Sequence, residues 1–345
     1  SPHSTRRYGT LSTSSDGYGC GVIALLLATS LFGAVQPPNL PPVTTAGRID
    51  QPPVIDGRLD DACWRQAAVV GPFVLLGSAK LPSQRTVARI CTDGTNIYVA
   101  FWCDEDLMDR LHLQARGRDA EKAWADDCVE VFLAPDGRGE VYYHLIVTAA
   151  NTVYDERRWA GGERTDIQWS AGATTAVYRR KRGWTCEIAI PCYTLGLTEV
   201  AGTWLANFCR AEQPHAEWSA WPALLSGFHE TSRFGRLIWA DRPAVTQLGI
   251  NPLRVGLNEL RISTAMPATG RAVIFRDGQH YPKPLDKLDD TWQFWMETGG
   301  EGYLRIELTS TESADGDDVI FATCLLYTSD AADEGLGVDL GGRRI

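Results

Sequence analysis

The chain has 345 residues, 44% of them hydrophobic and 22% charged, a balance that supports a packed core and excludes a disordered or fibrous class. Its 33 lysines and arginines stand against 43 acidic residues, a formal charge of −10, with no basic stripe carrying interleaved aromatics, so the usual footprint of a nucleic-acid binder is missing. The 12 tryptophans are large, hard to bury completely and useful as flat platforms for apolar ligand faces, although most are expected in the core.

From the N-terminus, Arg6 and Arg7 precede an apolar run from Gly21 to Val35 that ends in small residues. That order marks residues 1–35 as a signal-like segment, too short to span a bilayer, and predicts a secreted, periplasmic or cell-surface location. Cys20 lies on the wrong side of the run for lipidation. Residues 36–45, rich in proline and threonine, read as a linker, and folding is expected to begin near Ala46.

The stretch from Val54 to Trp64 is a strand, the turn Asp56-Gly57, and a short acidic helix predicted over Asp60 to Ala68. Strands follow at 86–92, 97–103, 128–134, 140–148, 152–157, 173–180, 183–190, 203–211 and 234–240, with a helical turn near Tyr193 to Leu195. Period-2 alternation with regularly spaced turns predicts an all-β, antiparallel, jelly-roll-like β-sandwich with minor helix over residues 46–241. After Pro243, strands at about 252–263, 271–277, 302–309 and 318–323 suggest a partial second β domain over 245–323, too short to close a sandwich of its own. From Cys324 the hydrophobic periodicity stops, and residues 324–345 resemble translated sequencing-adapter read-through of the kind seen at broken ends of assembled metagenomic genes. They are expected to be a non-native tail, with the natural protein continuing beyond residue 323.

Leaving out Cys20 and Cys324, the cysteines are Cys63, Cys91, Cys103, Cys128, Cys186, Cys192 and Cys209, with no zinc-site spacing. Buried free thiols are the first expectation; Cys91 and Cys103, flanking one hairpin, are the pair to test for a disulfide.

Five segments in order, PVIDGRLDDACW, TVARICTDGTNIYVAFWCDED, WADDCVEVFLAPDG, GWTCEIAIP and SRFGRLIWA, resemble the family 9 carbohydrate-binding modules and their wider DOMON-like relatives, over Ala46 to Asp241. The resemblance implies a β-sandwich in which two aromatic side chains clamp a sugar ring while carboxylate, amide and guanidinium groups bind its hydroxyls. It puts Trp124 at the first clamp position, Glu130 at the sugar-binding carboxylate and Phe228 at the second clamp position, with Trp218 and Trp221 as alternatives. Val129 and Val131 should point to the opposite, core-facing side of the strand. Where the family has an arginine and an asparagine, this chain has Ile146 and Thr148; His144, Asn207 and Arg210 are the candidate substitutes. Trp64 is expected to pack against the sandwich as part of an opening latch, away from the ligand.

No cofactor is required on this reading, but Asp104, Glu105, Asp106 and Asp109 cluster after a strand, and the family's structural calcium makes Asp104, Asp106 and Asp109 candidate ligands. The expected partner is a polysaccharide or oligosaccharide. No catalysis is expected in residues 46–241: Asp126, Asp127, Glu130 and Glu187 supply carboxylates, but no motif selects a pair. A glycoside hydrolase in a missing C-terminal part would suit a binding module of this kind. The alternatives are a DOMON-type haem electron-transfer domain, with Met108 and His112 as the residues to watch, and a structural cell-surface domain.

Overall fold

The computed structural model describes residues 36–250, 253–297, 299–312, 318–328 and 338–339. The signal-like segment and most of the chain after Thr328 lie outside the described residues.

The segments expected from residue 86 to residue 240 form strands close to their expected bounds, whereas Val54 and Ile55 form none. In chain order the elements of this half are β1 (Val43–Ala46), helix α1 (Ala62–Gln66), β2 (Ala68–Val70), β3 (Val74–Leu75), β4 (Thr86–Thr92), β5 (Asn96–Cys103), β6 (Cys128–Ala134), β7 (Val141–Thr148) and β8 (Val153–Trp159). There follow β9 (Arg164–Asp166), β10 (Thr174–Arg180), β11 (Gly183–Pro191), β12 (Thr203–Glu212), β13 (Glu217–Ala220) and β14 (Gly235–Trp239). Five of these, the short strands β1, β2, β3, β9 and β13, lie outside the expected strand segments. Among the described residues, β10-β11-β5-β4-β2 make one five-stranded sheet, and the rest join into a second, larger sheet containing β12, β6, β7 and β8. Pairing is antiparallel as expected, except that β1 runs parallel to β14.

The two sheets enclose the main core. Ile90, Val99, Phe101, Trp184 and Ile188 of the five-stranded sheet meet Val129, Val131, Leu145, Trp204, Phe208 and Leu237 of the other. Each set comes from alternate positions of its strands, the sandwich rule of one inward face per sheet. Val129 and Val131 thus face the core and leave Glu130 on the opposite face, as the alternation predicts.

Two differences from the sequence reading concern the ends. Residues 43–45, read as linker, belong to β1, which pairs with β14 and also meets Ala322. The later strands, β15 (Val245–Ile250), β16 (Gly256–Thr264), β17 (Ala268–Arg276), β18 (Gln279–Leu288), β19 (Thr291–Met296), β20 (Glu301–Ser310) and β21 (Val319–Thr328), build a second core that is not self-contained, and β22 (Val338–Asp339) pairs with β15. Leu248, Leu260, Trp292, Ile306 and Phe321 pack with Val69, Val74 and Val87 from the first half. Strand β21 runs past residue 323, and Leu325 and Tyr327 are buried in this core.

The described cysteines are buried free thiols. The Cys91–Cys103 disulfide does not form, because antiparallel register sets Cys91 opposite Tyr98 and Cys103 opposite Thr86, at opposite ends of the hairpin. No helix among the described residues is long and apolar enough to cross a membrane.

Candidate functional site

The outer face of the larger sheet gathers the polar residues that alternation turns away from the core. Register places Phe132 of β6, His144 of β7 and Glu156 of β8 in one row across the strands, and Glu130, Ile146 and Tyr154 in the next. All of these but the buried Phe132 floor a groove of about 330 Å³, within the size range of small-ligand sites.

Aromatic side chains form its walls. Trp124, on a 3₁₀ turn just before β6, is 59% exposed, and Trp218 of β13, opposite Ala211 in register, is 41% exposed. Phe228, in the loop before β14, completes the lining. Tryptophans this open are not core side chains; they offer faces to an apolar surface.

The floor is a chain of alternating charge. Glu130 Oε2 lies 2.8 Å from His144 Nε2, His144 Nδ1 lies 3.0 Å from Glu156 Oε1, and Arg158 Nε donates to that same oxygen at 2.6 Å. The Tyr154 hydroxyl donates to Glu156 Oε2 at 2.9 Å. Burial raises the Glu156 carboxyl, but the hydrogen bonds from His144 and Arg158 outweigh it and hold the group at about 2. For His144, burial pushes the imidazolium down, yet hydrogen bonds to Glu130 and Glu156 leave it net raised. His229, open to solvent on its groove side, packs edge-on against Phe132 and His144, and the desolvation of its inner side, with the nearby positive charge of His144 and Arg158, lowers it below the ordinary histidine value.

Five of the expected ligand residues therefore meet in one groove: Trp124, Glu130, His144, Trp218 and Phe228. Three do not line it. Trp221 is 2% exposed and packs in the main core against Phe208, with its ring over Gly235. Arg210 lies on the core side of β12 and reaches across the sandwich to the Glu105 carboxylate at 3.2 Å and the Asp104 carbonyl at 2.7 Å. Asn207 is on the groove side but buried, and its amide donates to the Phe228 carbonyl at 2.9 Å, so it supports the aromatic wall from beneath.

Sequence reasoning missed Tyr154, Glu156, Arg158 and His229. The first three were accessible in principle, since positions two apart in a strand share a face.

The acidic cluster after β5 does not converge as expected. Asp104 accepts from Arg85 Nε at 3.1 Å and from the Trp102 indole at 2.9 Å, Asp106 faces His215, and Asp109 sits on an exposed 3₁₀ turn. What comes together instead is Glu105, Glu212 and His215. Burial and the Glu212 carboxylate push Glu105 up to about 7, with Arg210 beside it. A histidine nitrogen and an arginine-paired carboxylate do not make the oxygen shell that calcium needs, so these residues do not fit that ion.

A second group, His144, Glu156 and His229, has ligand atoms within 4.8 Å of one another. Arg158 already occupies the Glu156 oxygen at 2.6 Å and balances its charge, which favours the ion chain over a bound cation.

The other weighed carboxylates have structural partners. Asp126 accepts from the Gln114 and Ala115 amides, Asp127 from the His112 and Gln213 amides, and Glu187 from the Asp56 and Gly57 amides and the Trp64 indole. Met108 packs against the main core and the His112 ring meets Asp126 at 3.1 Å, so the two residues named for the haem alternative are each engaged by protein neighbours.

Residues 55–241 match the model of a family described as carbohydrate family 9 binding domain-like. Among solved structures, the chain is similar to a candidate carbohydrate-binding protein from Bacteroides uniformis, at 17% identity and a TM-score of 0.46, covering 57% of this chain and 97% of that one. It is also similar to a family 9 carbohydrate-binding module from Caldicellulosiruptor kristjanssonii in complex with glucose, at 17% identity and a TM-score of 0.42, covering 57% and 95%. The same description in complex with cellotriose aligns at 16% identity and a TM-score of 0.42, covering 57% and 93%. No curated protein matches the chain.

Proposed function

The chain belongs to the carbohydrate family 9 binding domain-like family over residues 55–241, and from that premise we propose that it is a non-catalytic saccharide-binding protein whose ligand seats in the groove on the outer face of the larger sheet. The observation that carries the reading is the exposed pair Trp124 and Trp218 standing beside Glu130 in that groove. The C–H faces of a pyranose stack on aromatic rings, and a fixed carboxylate accepts from its hydroxyls. Arg158, with Nε committed to Glu156, also lines the groove and is a cationic donor for a ring or hydroxyl oxygen.

A groove this open should bind weakly, at roughly −4 to −8 kcal/mol, and tight attachment to a polymer would come from avidity with further domains. Secretion, and membership of a larger glycan-degrading or surface protein, complete the proposal.

The test is retention of the full chain on a panel of plant, algal and bacterial glycans. Trp124→Ala should weaken binding more than tenfold, about 1.4 kcal/mol, without changing the thermal midpoint. Failure of the wild type to be retained on any glycan would defeat the reading.

A further inference from the structure

We propose that His144 is the positioning residue of the groove: its imidazolium, held between Glu130 and Glu156, fixes the Glu130 carboxylate toward the ligand, so that binding depends on the His144 proton. The inference rests on reading the groove as a saccharide site.

Two ring protons satisfy both contacts while leaving both carboxylates charged. Each His144 nitrogen faces a carboxylate oxygen within 3.0 Å, and a neutral imidazole has only one N–H to give. The ring cannot readily turn to escape a mismatch, because Phe132 stacks on it with centroids 4.1 Å apart and planes 11° from parallel. Any adjustment to the loss of a proton therefore falls on the carboxylates.

The two carboxylates are held unequally. Glu156 is also gripped by Arg158 and Tyr154, whereas among the described residues Glu130 has, besides His144, only the Cys128 thiol at 4.0 Å. A neutral ring will keep its proton on Nδ1, where Glu156 cannot move away from a lone pair. The Nε2 lone pair then faces Glu130, the carboxylate with fewer partners to hold it in place. The residue that loses its orientation is the one placed to meet the ligand.

Ionisable groups surround His144 on several elements. From β6 it faces Glu130, with Cys128 beside it, from β8 Tyr154, Glu156 and Arg158, from the loop before β14 His229, and on its own strand Tyr142. Burial pushes Cys128, Tyr142 and Tyr154 above their ordinary ranges, while His229 stays neutral and Glu156 stays charged. Because His144 is raised in the folded protein, the clamp is complete below the ordinary histidine value of 6.5 and is lost as pH rises through the raised midpoint.

The test pairs ¹⁵N NMR of the histidine rings in the ligand-free full chain with binding of soluble cello-, xylo- and manno-oligosaccharides across pH. His144 should carry two ring protons at pH 6, its midpoint should fall by more than one unit in Glu130→Gln, and wild-type affinity should drop at least fivefold on passing that midpoint. His215→Ala, outside the groove, should keep the wild-type pH profile. A singly protonated His144 at pH 6, or affinity that stays flat across its midpoint, would overturn the proposal. If no oligosaccharide binds at any pH while the midpoint still falls in Glu130→Gln, the saccharide reading fails and the positioning of Glu130 by His144 stands.

Discussion

Glu187 sits in mid-strand on β11, fully buried, and its two oxygens collect three donors from the opening motif. The amides of Asp56 and Gly57 reach Oε2 at 2.9 and 2.6 Å, and the Trp64 indole reaches Oε1 at 2.7 Å. Gly57 adopts φ +86°, and a Cβ there would come within 2.7 Å of the Tyr178 amide, which explains the glycine in the turn. The latch expected of Trp64 is thus a hydrogen-bonded one as well as a packed one. Removing the carboxylate leaves three buried or half-buried donors without an acceptor, so Glu187→Ala should lower unfolding stability by about 3 kcal/mol or more, and Glu187→Gln by less. Urea denaturation checks this: an unchanged midpoint in Glu187→Ala would show that water replaces the carboxylate at no cost. Nothing in the sequence linked positions 57 and 187, because the contact depends on how β11 packs beside the turn, which no local pattern encodes.

At the scale of elements, legibility followed the period-2 rule and stopped where chemistry masks it. Strands such as β4, β6 and β12 are apolar-rich, buried along nearly their whole length and closed by turn residues, so their bounds emerge within a residue or so. Strand β18, QHYPKPLDKL, was missed because Pro282 and Pro284 argue against a strand and nearly all its side chains are exposed. The same rule, applied one step further, would have separated Asn207 from Arg210: three positions apart on β12, they must face opposite sides. Strand β1 was hidden by its proline-rich approach. It hydrogen-bonds to β14 along its length, Thr44 donates its hydroxyl to the Val69 carbonyl at 3.0 Å, and Thr45 donates to the Ile320 carbonyl at 2.8 Å. It therefore ties both cores to one edge. A chain beginning at Gly47 should melt about 2 to 3 °C below one beginning at Gln36, as expected for losing about 1 to 2 kcal/mol of strand and hydroxyl hydrogen bonds in a molecule of this size. Equal melting temperatures for the two would mean that β1 is an accessory strand.

For the whole molecule, the boundary of the family match and the boundary of the folded unit are different things. The match ends at residue 241, but the five-stranded sheet is buried on both faces there: Ala68, Val70 and Ala88 face the sandwich core, while Val69 and Val87 face the core built by β15 to β21. Trp102 of β5 packs on the same second core, and Arg89 extends Nη1 to the Thr246 carbonyl at 2.9 Å. Ending the chain at Asp241 would return Val69, Val74 and Val87 to water, on the order of 5 kcal/mol at the usual worth of a buried valine, and would strip Arg89 of that carbonyl. The groove lies on the outer face of the other sheet, so its residues would not be touched directly. A chain ending at Asp241 should therefore show a clearly lower urea midpoint, stronger binding of a hydrophobic dye and self-association on sizing, compared with one ending at Thr328. Whatever fraction stays folded should still bind saccharide with unchanged affinity. Equal stability of the two chains would mean that the second core rests on the first without supporting it.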